Sequence, residues 1–134
     1  MAAKKLDQLV NDVENYVECW KQFNRFVTLA RAKKFTPEDE TEFLDTKSIL
    51  IQQLELIMSL VELVAPSREE IHAVVGDAPS LRCLSELNEG AFRKLENQWH
   101  KIYIDWHALL GQLRVRQRGE TPRYGLGAMF GKKG

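Results

Sequence analysis

The chain has 134 residues, 44% hydrophobic and 28% charged, with a formal net charge of zero. That length suits one domain and can bury a core without disulfides or a structural metal. A neutral total provides no general attraction to nucleic acid or to a membrane surface. The charge is unevenly placed, however. From Arg114 onward six Lys or Arg accompany a single acid, Glu120, so the last 21 residues carry +5 and residues 1–113 carry −5.

Two cysteines, Cys19 and Cys83, are too few for a disulfide scaffold. Both fall in amphipathic patterns and read as reduced thiols. The opening MAAKKLDQLVND lacks the apolar core of a signal peptide. The most apolar run, 49–64, is shorter than the roughly 20 residues a bilayer span needs and carries two Glu and two Gln. These features predict a cytoplasmic protein with no transmembrane segment.

A first helix is expected from about Lys4 to Lys33. Leu6, Leu9, Val13, Tyr16, Trp20, Phe23, Val27 and Ala30 alternate in steps of 3 and 4, an unbroken heptad pattern that Val10 and Val17 widen on one flank. After a short break, Thr36 is a good N-cap and Pro37 suits the first helical turn, with Glu38, Asp39 and Glu40 behind it. The second helix is expected over Thr36–Val64 and is the element around which the fold is predicted to be organised. Leu50, Leu54, Ile57, Val61 and Val64 continue the heptad, Ile51 and Met58 form one flank, and Ile49, Leu56, Leu60 and Leu63 form another. Only Gln52, Glu55, Ser59 and Glu62 make a narrow polar stripe, so several neighbours are needed to cover the rest.

Pro66 ends that helix, and Ser67 with Glu70 is a capping-box pattern for a short helix over Arg68–Val75 that stops at Gly76. Leu81, Leu84 and Leu87 mark a further short amphipathic piece, so 65–88 reads as a compact connector. A last long helix is expected from near Asn88 to about Arg118. Phe92, Leu95, Trp99, Ile102, Trp106, Leu109 and Leu113 again step by 3 and 4, and Gly119 is the predicted stop. Three tryptophans in a narrow bundle call for small residues opposite them, with Ala30, Ala108 and Gly111 as candidates.

Four of the chain's eight glycines fall in its last ten residues, which disfavours a helix there. The segment 119–134 nevertheless carries apolar groups among its glycines. Arg118, Arg123, Tyr124, Leu126, Met129, Phe130, Lys132 and Lys133 are the candidate partner-binding residues, since apolar side chains on a basic, Gly-rich segment suit a short docking peptide. Over a short stretch its alternation of Gly with Leu, Met and Phe resembles the cargo tails that load proteins into bacterial protein shells; no family is assigned on it.

Signals for chemistry are sparse. Glu96 and His100 are one turn apart and His107 lies two turns further, about 10 Å along a helix axis. These three are the candidates for a small helical enzyme or metal-binding protein, although that spacing is long for one ion without further ligands. The only Glu-x-x-His, Glu69 to His72, falls in the short connector helix. No G-x-S-x-G, Walker A or zinc-ligand cluster is present. The basic segment 114–133, with Tyr124 and Phe130 able to stack on bases, is the candidate for nucleic-acid binding, but alternate arginines on a helix end do not face one way.

The sequence thus predicts an all-α protein: an antiparallel bundle of three long helices with a short helical connector over 1–118, then a Gly-rich basic tail, 119–134. The expected function is a non-enzymatic protein–protein interaction module without cofactor or metal. A homodimer is expected if the flank at Ile49, Leu56, Leu60 and Leu63 exceeds what two neighbours cover.

Overall fold

A computed structural model describes residues 2–61 and 66–119, with side chains from residue 5 onward. Every regular element among the described residues is helical: α1 (Ala2–Arg31), α2 (Pro37–Leu60), α3 (Arg68–Gly76), α4 (Leu81–Ser85) and α5 (Glu89–Gly119). No helix among the described residues is long and apolar enough to cross a membrane.

α1 packs against both other long helices. All eight of its positions spaced by 3 and 4, from Leu6 to Ala30, are buried, together with Val10, Val17 and Phe26. On one side Phe23 and Phe26 meet Phe43 of α2, with ring centroids 5.5 and 5.8 Å apart. Further along, Tyr16 Oη donates to the Leu50 carbonyl at 2.7 Å. On the other side Trp99 Nε1 of α5 donates to the Trp20 carbonyl at 2.8 Å, Arg31 pairs with Glu89 and Glu96, and Arg114 reaches Glu14 at 2.6 Å. In both cases rising residue numbers on α1 meet falling ones on the neighbour, so α2 and α5 each run antiparallel to α1. The ion pairs are largely solvated and add little energy; they record the register that apolar burial imposes.

α1 ends in a Schellman turn. Lys34 N–H donates to the Leu29 carbonyl at 2.9 Å and Lys33 N–H to the Ala30 carbonyl at 3.0 Å, with Lys33 in the left-handed region at φ 58°. A lysine at that position costs about 1–2 kcal/mol of backbone strain. Its ammonium donates to the carbonyl of Ser85, the last residue of α4, a contact glycine would lack.

α2 begins as its sequence dictates. Thr36 and Asp39 form a reciprocal capping box, with Pro37 in the first turn. It ends earlier than Val64: Val61 is extended, at φ −146° and ψ 142°, and its N–H still donates to Ile57. Pro66 acts on the residue directly before it and on the carbonyl four positions back, at 62, so the stop at Leu60 has no proline or periodicity signal. Leu63 and Val64 lie outside the described residues.

The connector is a wall of the core. Ile71, Val74, Val75, Ala78, Leu81 and Leu84 are all buried. It runs back along α2. Arg68 grips Glu55 through two hydrogen bonds of 2.8 and 2.9 Å, Lys47 donates to the Pro79 carbonyl at 3.1 Å, and Glu40 accepts from the Leu81 and Arg82 N–H groups at 2.9 and 3.2 Å. A carboxylate at the free N–H groups of a helix start is favourable electrostatically and as a cap. Ser67 and Glu70 form the capping box expected for α3, and Lys101 of α5 pairs with Glu70.

The tryptophans differ in depth. Trp20 and Trp106 are fully buried, and Tyr16 packs against Trp106 at 4.7 Å. Trp99 lies at the edge of the core, stacked on Tyr103 at 4.6 Å. Of the small residues proposed to face them, only Ala30 is buried; Ala108 and Gly111 are exposed, because they fall off the covered stripe of α5.

Candidate interaction surface

The largest departure from a closed core lies on α2. Its buried residues are only Phe43, Leu50, Leu54 and Ile57. Ile49 and Leu56 are each 43% exposed and Leu60 55%. These are three of the four residues of the flank that needed a cover; Leu63 is outside the described residues. The connector covers a different side, because its anchors on α2 are Glu40, Lys47 and Glu55. Leu44, at 47%, is exposed on another part of the circumference. Scattered aliphatic residues at a surface are ordinary; three on one helical strip are a candidate contact surface.

Of the proposed partner-binding residues, Arg118 is on the exposed last turn of α5. Arg123, Tyr124, Leu126, Met129, Phe130, Lys132 and Lys133 lie outside the described residues. Gly119 is the final helical residue rather than the first beyond the helix. Arg114, counted within the basic segment, is engaged with Glu14 of α1. The end of α5 from which the tail departs is held beside the first turns of α1, where Gln117 Nε2 donates to Asp7 Oδ1 at 2.6 Å.

The residues considered for chemistry are committed elsewhere or dispersed. Glu96 accepts from Arg31 Nη1 at 2.8 Å. His100 and His107 are exposed, with Tyr103 between them in edge contact with His107 at 4.5 Å. Among the described residues no group of three or more His, Cys, Asp or Glu is arranged to hold a metal ion. Burial, with the Glu18 carboxylate beside it, pushes the Cys19 thiol above its ordinary value, which disfavours the nucleophilic thiolate.

A shallow cleft of about 280 Å³ separates α3 from α5. Glu69, Glu70, Ala73 and Val74 of α3 and Gln98, Lys101 and Ile102 of α5 line it. Gln98 Oε1 is buried without a hydrogen-bond partner. The Lys101 ammonium, with Ser67 adding a backbone hydrogen bond, holds the Glu70 carboxyl below its usual range, and Glu70 in turn raises Lys101. The lining carries two carboxylates and one ammonium, and Lys101 pairs with Glu70.

The α2 strip was legible as an excess apolar flank but not as a continuous feature. Glu38, Glu42 and Asp45 extend the same strip toward the start of the helix, and a spacing of 4, 3 and 4 leading to Ile49 was the available signal. Comparison with family models, with curated proteins and with solved structures returns no match for this chain.

Proposed function

We propose that this protein is a non-enzymatic interaction module, in which three long helices packed as an antiparallel bundle form a rigid base for the basic, Gly- and aromatic-containing segment 119–134. That segment docks on a protein partner. One observation supports the reading above the others: the final turns of α5 lie against α1, with Leu110 and Leu113 buried and Arg114–Glu14 and Gln117–Asp7 marking the register. A peptide leaving Gly119 therefore departs from a fixed point, and a fixed departure point limits the entropy lost on docking. Several described charged groups pair across helices, Arg31 with Glu89 and Glu96, Arg68 with Glu55, Lys101 with Glu70 and Arg114 with Glu14, a pattern that favours a binding scaffold over a reacting centre.

Capture experiments with the full chain and a version ending at Arg118, read by mass spectrometry, test this. Loss of a specific partner with the melting transition unchanged is the expected result. Capture that survives the truncation would move the contact onto the helices, and unfolding on truncation would make the tail part of the core.

A further inference from the structure

Glu38, Glu42, Asp45, Ile49, Leu56 and Leu60 are spaced by 4, 3, 4, 7 and 4 residues, which puts them on one face of α2. All six are exposed. Their order divides the face, with three carboxylates in the half nearer Thr36 and three aliphatic side chains in the half nearer Val61.

A second copy of the chain matches this face poorly. Three half-exposed aliphatic residues fall well short of the roughly 800 Å² per partner that a stable interface buries. Antiparallel pairing of two such strips sets carboxylates over aliphatic groups, and parallel pairing sets carboxylates against each other. The complementary occupant has apolar residues followed by cations. The chain itself carries that order: Tyr124, Leu126, Met129 and Phe130 precede Lys132 and Lys133.

The two features also begin at the same end of the molecule. α5 finishes beside the first turns of α1, and α2, antiparallel to α1 as well, finishes there too. From Tyr124 to Phe130 an extended chain advances about 20 Å. From Leu60 back to Ile49 the helix spans about 16 Å, so the next residues, Lys132 and Lys133, reach the level of Asp45 and Glu42. We infer that residues 124–133 lie along this face of α2 in their own chain, running from Leu60 toward Glu38, with apolar side chains over the aliphatic half and the two lysines over the carboxylates. This docking goes beyond the partner-binding reading and holds whether or not a partner later takes the segment.

The test uses the full chain carrying a nitroxide on one cysteine, Met129→Cys in a Cys19→Ala, Cys83→Ser background, and reads paramagnetic broadening of methyl signals. Ile49 and Leu60 should lose more intensity than Val115, an exposed methyl-bearing residue near the point where the segment leaves α5, and dilution should not change the pattern. Lys132→Glu with Lys133→Glu should abolish the difference, and adding Glu42→Lys with Asp45→Lys should restore it. Stronger broadening at Val115 than at Ile49, the signature of a segment held only at Gly119, overturns the proposal. Broadening that vanishes on dilution also overturns it, in favour of a second copy. In case the cysteine background perturbs folding, amide exchange over 49–60 in an otherwise native chain bearing K132E/K133E is the second readout. Faster exchange than in the native chain supports the docking, and unchanged exchange contradicts it.

Discussion

α1 and α2 are both long, apolar helices, and α2 has the wider apolar surface in sequence, yet α1 is the better covered. α1 buries Leu6 through Ala30 at every step of its heptad and has a long neighbour on each side. α2 buries four residues and leaves Ile49, Leu56 and Leu60 facing outward. Apolar width measures how much cover a helix could use. Centrality depends on whether apolar groups point at two neighbours at once. On α1, Tyr16, Phe23 and Phe26 serve α2 while the Trp20 carbonyl receives Trp99 of α5. The helix expected to organise the fold is therefore one of its walls, and the first helix is its spine.

Substitutions graded along this contrast should separate the two helices. Trp20→Ala on the spine removes a fully buried indole and is expected to cost about 3–5 kcal/mol in urea denaturation. Leu54→Ala, on the covered face of α2, should cost about 2–5 kcal/mol. A loss below about 1 kcal/mol at both sites would mean that the core is loose throughout.

Tyr16→Phe tests the joint between the helices. Losing the hydrogen bond to the Leu50 carbonyl should cost about 1 kcal/mol. The same variant sharpens the pH dependence. Burial raises the Tyr16 phenol well above its ordinary value. A raised folded-state value means that its contribution is intact below the unfolded value, about 10, and is lost as pH climbs beyond it. The native chain should lose stability above that pH faster than Tyr16→Phe. Parallel pH profiles would mean that the hydroxyl is solvated.

Smaller effects belong to the start and the open sides of α2. Thr36→Ala removes a capping box and should cost about 1 kcal/mol. Leu44→Ala, on a nearly half-exposed residue, should stay within about 0.5 kcal/mol of native. A larger loss at Leu44 would indicate a cover on α2 beyond the described residues.

Much of this arrangement was legible in the sequence where periodicity and capping act locally. The buried stripe of the first helix from Leu6 to Ala30, the caps at Thr36 and Ser67, and the all-helical class of the described residues all follow from residue spacing and side-chain chemistry. Phe43 was legible too, seven residues before Leu50 and on the same face, though it stands apart from the dense apolar run. Phe26 lies three residues after Phe23, beside the heptad rather than on it, and became core because Phe43 faces it. What periodicity cannot convey is which neighbour takes which flank. The connector's position depends on Glu40 reaching residues 41 and 42 positions away and on Glu55 reaching Arg68, 13 positions away, contacts invisible to any local pattern. The strip on α2 was visible as excess; its lack of cover required the positions of α3 and α4.

Native-state hydrogen exchange compares the two helices most directly. If α1 is the spine, its amides between Val13 and Val27 exchange only through global unfolding and are the slowest in the protein, while α2 opens at lower free energy. If the slowest amides lie instead within 49–60 of α2, the assignment of α1 as the organising helix is wrong.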